Sequence, residues 1–163
     1  MTLAEAAAQA HTLAEEGKER ELADLRREWE DEVEAAARSA DYRERAVAYR
    51  AVGQFRFRQK IELLGRGLDD ESPACRGSAL ISLESLSRDA PGAVNSLRSV
   101  LHRLATTDDN QAVRRLAIVT LRNGSAHRDT IVLLEGLAED DRLERELRET
   151  ATKVAAGLKK KGR

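Results

Sequence analysis

Few residues of this sequence have the types and spacing that catalysis requires. The three histidines, His11, His102 and His127, lie far apart and lack the spacing of a metal site. The single cysteine, Cys75, excludes an intrachain disulfide and any metal site built on several cysteines. Neither a glycine-rich phosphate loop nor a nucleophile elbow is present. We therefore predict a protein that is not an enzyme, with no catalytic residue, no cofactor and no metal.

Cys75 has two interpretations. It lies near a predicted helix N-terminus, which lowers the pKa of a thiol and makes it more reactive. It also occupies the position that Val113 and Leu147 hold in later segments, and this favours a small side chain buried in the core. We favour the core interpretation.

Paired aspartates recur along the chain. The pairs are Asp69 and Asp70, Asp108 and Asp109, and Asp140 and Asp141. A hard cation needs several oxygens that converge on one point. Each pair instead directly precedes a predicted helix, where a negative side chain caps the N-terminus and interacts favourably with the helix dipole. We predict a structural role for these pairs rather than a metal site.

Charge is unevenly distributed along the chain. Residues 1–41 hold 12 acidic and 5 basic side chains, whereas residues 42–66 hold 2 acidic and 7 basic ones, although the net charge is only −1. All five aromatic residues fall between Trp29 and Phe57. A basic stretch with interleaved aromatics is typical of surfaces that anchor a protein partner or bind nucleic acid. The candidate partner-binding residues are Arg43, Arg45, Tyr49, Arg50, Arg56, Arg58 and Lys60.

Packing within the fold is the competing interpretation of this basic stretch. The acidic helix predicted before it would neutralise the stretch if the two segments pack together. The carboxylates available for this are Glu28, Glu30, Asp31, Glu32 and Glu34. In that case the basic and aromatic side chains stabilise the fold instead of contacting a partner, and the sequence leaves both interpretations open.

A repeated helical pattern must position these side chains. The pattern Arg-x-x-Ala recurs along the chain at intervals of 33, 38 and 34 residues. Its members are Arg43 and Ala46, Arg76 and Ala79, Arg114 and Ala117, and Arg148 and Ala151. Apolar residues follow at helical spacing in the last three, whereas Arg50 interrupts the first. We expect the four alanines to lie along a common line, where small side chains let neighbouring helices approach closely.

A second apolar helix precedes each of the last three of these helices. Their apolar faces are Phe57, Ile61, Leu64 and Leu68, then Val94, Leu97, Leu101 and Leu104, then Ile131, Leu134 and Leu137. Helix pairs that recur every 30 to 45 residues or so are typical of solenoids. The first 40 residues form either two helices joined at Gly17 or one long helix over residues 2–38.

Helices that end in paired aspartates, each followed by an apolar-Arg-x-x-Ala helix, resemble HEAT repeats over residues 41–158 or so. The resemblance implies an all-α fold, an α-α superhelix (right-handed solenoid) of about four HEAT-like helix pairs with an N-terminal helical extension. It also implies that aspartates and arginines of adjacent repeats pair as a ladder. By this resemblance, Asp70, Asp109 and Asp141 pair with Arg76, Arg114 and Arg148.

The pattern divides the chain into three parts. Residues 1–40 form an acidic helical cap together with the first helix of the first pair, residues 41–158 form the solenoid, and residues 159–163 form a basic tail. In the second helix of each pair, several positions should face solvent on the concave side. They include Arg45, Arg50, Ser78, Ser82, Arg115, Thr120 and Lys153.

These observations predict a protein-interaction scaffold or adaptor that binds a macromolecular partner through its concave or basic, aromatic surface. A nucleic-acid-binding protein that uses residues 42–66 is the alternative, although a pI near 6.3 argues against it. Some similar proteins attach bilin chromophores, but nothing here marks a pigment pocket. No long apolar stretch exists and the N-terminus lacks a basic start, so we expect a cytoplasmic protein without membrane contact. The polar ends of the solenoid favour a monomer or a weak dimer.

Overall fold

The computed structural model describes residues 1–163, whose regular structure is entirely helical. The helices are α1 (Leu3–Glu15), α2 (Glu19–Ala36), α3 (Tyr42–Gln54), α4 (Ile61–Leu68), α5 (Pro73–Ser87), α6 (Pro91–Ser96), α7 (Arg98–Thr107), α8 (Gln111–Leu121), α9 (Arg128–Ala138) and α10 (Arg145–Lys161). Alanine, leucine, glutamate and arginine dominate them and have high helix propensity. The predicted all-α class is confirmed. The chain divides into two compact units, Met1–Leu86 and Ser87–Arg163.

The first 40 residues form two helices, and the prediction of one long helix is wrong. Helix α1 starts after Thr2, whose hydroxyl accepts a hydrogen bond from the N–H of Glu5 at 3.1 Å. The chain turns at Gly17, which has a φ of +71° that favours glycine. Helix α1 then packs against both α2 and α3. It therefore forms part of the first compact unit.

Apolar and aromatic side chains form the core of the first unit. Four of the five aromatic residues, Trp29, Tyr49, Phe55 and Phe57, are buried. The rings of Phe55 and Phe57 lie 5.3 Å apart between centroids. Only Tyr42 is half-exposed, so most of the aromatic cluster seen in the sequence stabilises the fold.

The second helices share a register that differs from the predicted one at α3. The second helices of the four pairs are α3, α5, α8 and α10. In each of them an arginine is the fourth residue of the helix: Arg45, Arg76, Arg114 and Arg148. Three residues further on, the buried alanines are Ala48, Ala79, Ala117 and Ala151. Ala46 is only partly buried. Its assignment to the common line is therefore wrong, because α3 starts after Asp41 and places Arg45, not Arg43, at the repeated position.

In the second unit, the helix predicted around Val94 to Leu104 is broken at Leu97. This residue is the C-cap of α6 and the N-cap of α7, with a φ of −113° and a ψ of 15°. Helix α7 packs against α8, and α9 packs against α10. Together, α6 and α7 form the first helix of the third pair, and α8 forms its second helix.

The basic C-terminal residues continue α10 as far as Lys161. Lys159 Nζ lies 2.6 Å from Glu135 Oε2 on α9. Lys161 Nζ donates hydrogen bonds to the carbonyl oxygens of Arg122 and Gly124, at 2.7 and 2.8 Å. Cations at this end of a helix also interact favourably with the helix dipole. These lysines therefore stabilise the last helix pair.

Candidate partner-binding surface

Lys60 was predicted to contact a partner, but it packs inside the first unit. Its side chain is 8% exposed, and its Nζ lies 2.6 Å from Glu34 Oε1 and 3.1 Å from Glu30 Oε1 on α2. Burial lowers the pKa of Lys60, but hydrogen bonds to Glu34 and Glu30 outweigh burial and hold the pKa above its ordinary value. The acidic helix thus neutralises this lysine, and the prediction of a partner contact is wrong.

Three further candidates also contact the fold rather than solvent. Tyr49 is buried, and Arg45 is largely buried beside Asp70. Arg56 has a φ of +61° and donates to the carbonyl oxygen of Gly53 at 2.7 Å. Its guanidinium also lies 3.3 Å from Glu15 Oε1 on α1. The assignment of these residues to a binding surface is therefore corrected, because Tyr49 is in the core, Arg45 pairs with Asp70 and Arg56 contacts Glu15 of α1.

The predicted ladder of aspartates and arginines has a different pairing at its first position. Arg45 donates from Nε to Asp70 Oδ2 at 2.9 Å and from Nη2 to Oδ1 at 3.0 Å. Arg76, the predicted partner, donates to the carbonyl oxygens of Asp70 and Glu71. Burial raises the pKa of Asp70, but the Arg45 guanidinium and the N–H of Ser72 outweigh burial and lower it overall.

Of the other two predicted pairs, Arg148 and Asp141 are in contact, whereas Arg114 bonds to the backbone. Arg114 is buried and donates from Nε to the carbonyl oxygen of Ala105 at 2.9 Å, while Asp109 is exposed in the loop before α8. Arg148 Nη1 lies 3.9 Å from Asp141 Oδ1, but both residues belong to the same helix pair. The side chain of Asp141 is fully exposed. The predicted contact between Arg148 and Asp141 is therefore present within one helix pair, and a ladder between repeats stays a prediction.

The aspartate pairs nonetheless have a common structural role. In each pair one carboxylate accepts a hydrogen bond from the N–H two residues further along the chain. The acceptors are Asp70, Asp108 and Asp140, at distances of 2.9, 2.9 and 3.0 Å. Such turns lead the chain into the next helix. No group of histidine, cysteine, aspartate and glutamate side chains is arranged to hold a metal ion.

Cys75 is fully buried, which confirms the core interpretation. Its thiol donates a hydrogen bond to the carbonyl oxygen of Tyr42 at 3.2 Å. Burial, together with the negative charge of Asp70, raises the pKa of the thiol. The reactive thiolate is therefore disfavoured at this position.

A groove follows the exposed face of α3. Arg43, Val47, Arg50 and Gln54 lie at i, i+4, i+7 and i+11, so they share one stripe of this helix. Two depressions of about 670 and 300 Å³ adjoin the stripe, and both are lined by Ala4 of α1 and by Val47. We call these two depressions together the α3 groove.

The larger depression is mostly apolar, and the smaller one carries polar groups. The residues around the larger one are Thr2, Leu3, Ala4, Glu32, Ala35, Ala36, Arg43, Glu44 and Val47. The residues around the smaller one are Ala4, Ala46, Val47, Arg50, Gln54 and Ser78. The α3 groove thus combines small apolar side chains with hydrogen-bonding groups, as protein-binding surfaces do.

Arg50 is the distinctive side chain of the α3 groove. Its guanidinium is partly buried and makes no hydrogen bond or ion pair, whereas Arg43 and Arg45 pair with Asp41 and Asp70. Burial lowers the pKa of Arg50, and the positive charge of Arg56 lowers it further. A cation with unused donors in a depression is a candidate contact for a ligand.

Sequence reasoning located part of this groove. It placed Arg50 and Ser78 on the solvent side, and both line the smaller depression. It also placed Ser82 and Thr120 there, but both are fully buried. It missed the contribution of Ala4, because no local pattern indicates that α1 folds back onto α3.

Comparison with known families agrees with the helix pairs. Residues 30–103 match the family model described as HEAT repeats. The match runs from α2 into α7 and therefore includes α3. No curated protein matches the chain. No helix combines the length and the apolar character needed to cross a membrane. The match supports the family inferred from the arginine and alanine pattern: residues 30–103 of the chain are similar to HEAT repeats.

Proposed function

We propose that this protein is a non-catalytic interaction scaffold whose α3 groove binds a segment of a protein partner. HEAT repeats in general mediate protein–protein interactions. The observation that supports the α3 groove is Arg50, a partly buried cation without a partner beside small apolar side chains. The groove lies on helices that pack against one another, so it is preorganised for binding.

The charges of residues 42–66 favour a protein partner over a nucleic acid. Binding to a phosphate backbone requires several free cations that release counterions. Here Arg45, Arg56 and Lys60 are already paired with carboxylates of the same unit. The groove that remains includes alanine, valine and leucine side chains, which suit apolar side chains of a protein.

Affinity capture from native extract tests the proposal. Val47→Glu places a charge in the centre of the α3 groove and should abolish recovery of the partner. Val132→Glu is the matched control, because Val132 is 58% exposed on α9 and lies outside the groove. Circular dichroism should show that both variants keep their helices.

Two results would contradict the proposed function. One is recovery of the same proteins with Val47→Glu as with the unmodified chain. The other is binding to duplex or single-stranded DNA that weakens steeply as salt is raised, which would favour the nucleic-acid alternative.

A further inference from the structure

We infer that the α3 groove binds an acidic amphipathic helix of a protein partner, and that one carboxylate of this helix pairs with Arg50. The inference rests on the proposed function and adds the chemistry of the partner. It follows from the charge, the lining and the spacing of groups along α3.

The first argument is the unused hydrogen-bonding capacity of Arg50. A guanidinium carries five N–H donors in a planar fork that matches a carboxylate. The same chain shows this match at Arg45, which holds Asp70 through two bonds of 2.9 and 3.0 Å. Arg50 has the same group, partly removed from water and without a carboxylate. A carboxylate from outside the chain would form with Arg50 the same two-bond pair that Asp70 forms with Arg45.

The second argument is the lining of the smaller depression. None of its residues is acidic, and Gln54 and Ser78 add hydrogen-bonding groups near Arg50. The positive charge of Arg56 acts on Arg50 as well. A basic segment would therefore be repelled here, whereas an acidic one is attracted.

The third argument is the position of the apolar depression. Val47 borders both depressions and lies three residues before Arg50, which is about 4.5 Å along the helix axis. An amphipathic helix presents an apolar and an acidic side chain at this separation when they are three or four residues apart. Glu32 and Glu44 border the larger depression, so a carboxylate of the partner is directed to the Arg50 end.

The test uses a phage-displayed library of random peptides selected on the full chain. We expect the selected peptides to carry an aspartate or glutamate one helical turn from an apolar residue. Arg50→Gln should weaken their binding at least about tenfold, because a charge-assisted pair is lost. Lys153→Gln is the control: Lys153 holds the equivalent position in α10, and its replacement should leave binding unchanged.

A charge-reversal variant provides a second test. Arg50→Glu should abolish binding, and replacement of the peptide's acidic residue by lysine should restore it with this variant. Peptides that lose binding with Val47→Glu but not with Arg50→Gln would overturn the inference and leave the proposed function intact. Selected peptides that are basic would overturn it as well. The absence of any peptide that depends on Val47 would overturn both proposals.

Discussion

At the scale of single residues, α3 and α5 cross at a point where only a glycine fits. A Cβ on Gly53 would lie 2.8 Å from both Cα and Oγ of Ser82. The Ser82 hydroxyl accepts a hydrogen bond from the N–H of Gly53 at 3.0 Å and donates one to the carbonyl oxygen of Tyr49 at 2.6 Å. This buried serine therefore joins two helices, and its environment explains why it is not available to solvent.

We predict that Gly53→Ala destabilises the protein by roughly 1–3 kcal/mol, because the added methyl group overpacks the crossing. Gly157→Ala is the matched control, since nothing lies within 4 Å of a Cβ at this helical position. There the change should stabilise the protein by about 0.5–1 kcal/mol through helix propensity. Urea denaturation followed by circular dichroism measures both effects. Equal effects of the two substitutions would contradict the close approach.

Asp70 makes the stability of the first unit depend on pH. Its pKa lies below the ordinary value of about 4, so the folded state favours the ionised carboxylate. The stability that this provides is complete above the ordinary pKa and is lost as pH falls through the lower, folded-state pKa. Asp70→Asn removes the titrating group. We therefore predict that the variant is less stable at neutral pH and loses less additional stability below about pH 4.

Thermal unfolding between neutral and acidic pH measures this difference. Asp31→Asn, on the exposed side of α2, is the control and should follow the unmodified chain. Parallel pH profiles of Asp70→Asn and the unmodified chain would show that the contact with Arg45 does not matter for stability.

At the scale of elements, the register of α3 decides which residues face the core and which face the groove. Ala48 is fully buried, as Ala79, Ala117 and Ala151 are in their own helices, whereas Ala46 borders the smaller depression. Arg50 follows Ala46 by one turn and therefore also lies at the groove. Arg50, which interrupts the apolar stripe predicted from Arg43, therefore lies outside the buried face of α3.

We predict that Ala48→Leu destabilises the protein by roughly 1–3 kcal/mol, because the core at this helix contact has no room for a larger side chain. Ala46→Leu should change stability by less than about 0.5 kcal/mol, since the position is partly exposed. Chemical denaturation of the two variants compares the alternative registers directly. A larger loss for Ala46→Leu would favour the register predicted from Arg43.

At the scale of the whole molecule, the charge imbalance of the sequence is compensated locally. Residues 1–41 are strongly acidic and residues 42–66 strongly basic, and the two segments pack in the same unit. Lys60 with Glu30 and Glu34 is the most buried of these contacts, and Arg56 with Glu15 is another. Two of the cations that suggested a binding surface, Lys60 and Arg56, therefore help to dock α2 and α1.

We predict that Lys60→Glu destabilises the protein by roughly 3 kcal/mol, because it removes the partner of two carboxylates and adds a like charge in a buried position. Lys153→Glu, which changes the net charge equally at an exposed site, should have little effect. Thermal unfolding at low and high salt compares the stability of the two variants. Similar melting temperatures for both variants would refute the docking role of Lys60.

Local sequence patterns specify the helices, their grouping into HEAT-like pairs, and the turns at the paired aspartates. These features depend on periodicity, helix propensity and caps, all of which act over a few neighbouring residues. The burial of Cys75 in the core and the solvent-facing position of Arg50 were predictable for the same reason.

Which charges remain available for a partner depends on contacts between residues that are far apart in the sequence. Arg45 and Asp70 are 25 residues apart in sequence, and Lys60 and Glu34 are 26 apart. No short-range pattern specifies such pairs, because each partner lies far away in the sequence and several carboxylates of the chain were equally suitable for each cation. The packing of the first unit pairs Arg45 with Asp70 and Lys60 with Glu34, and it leaves Arg50 unpaired beside the α3 groove.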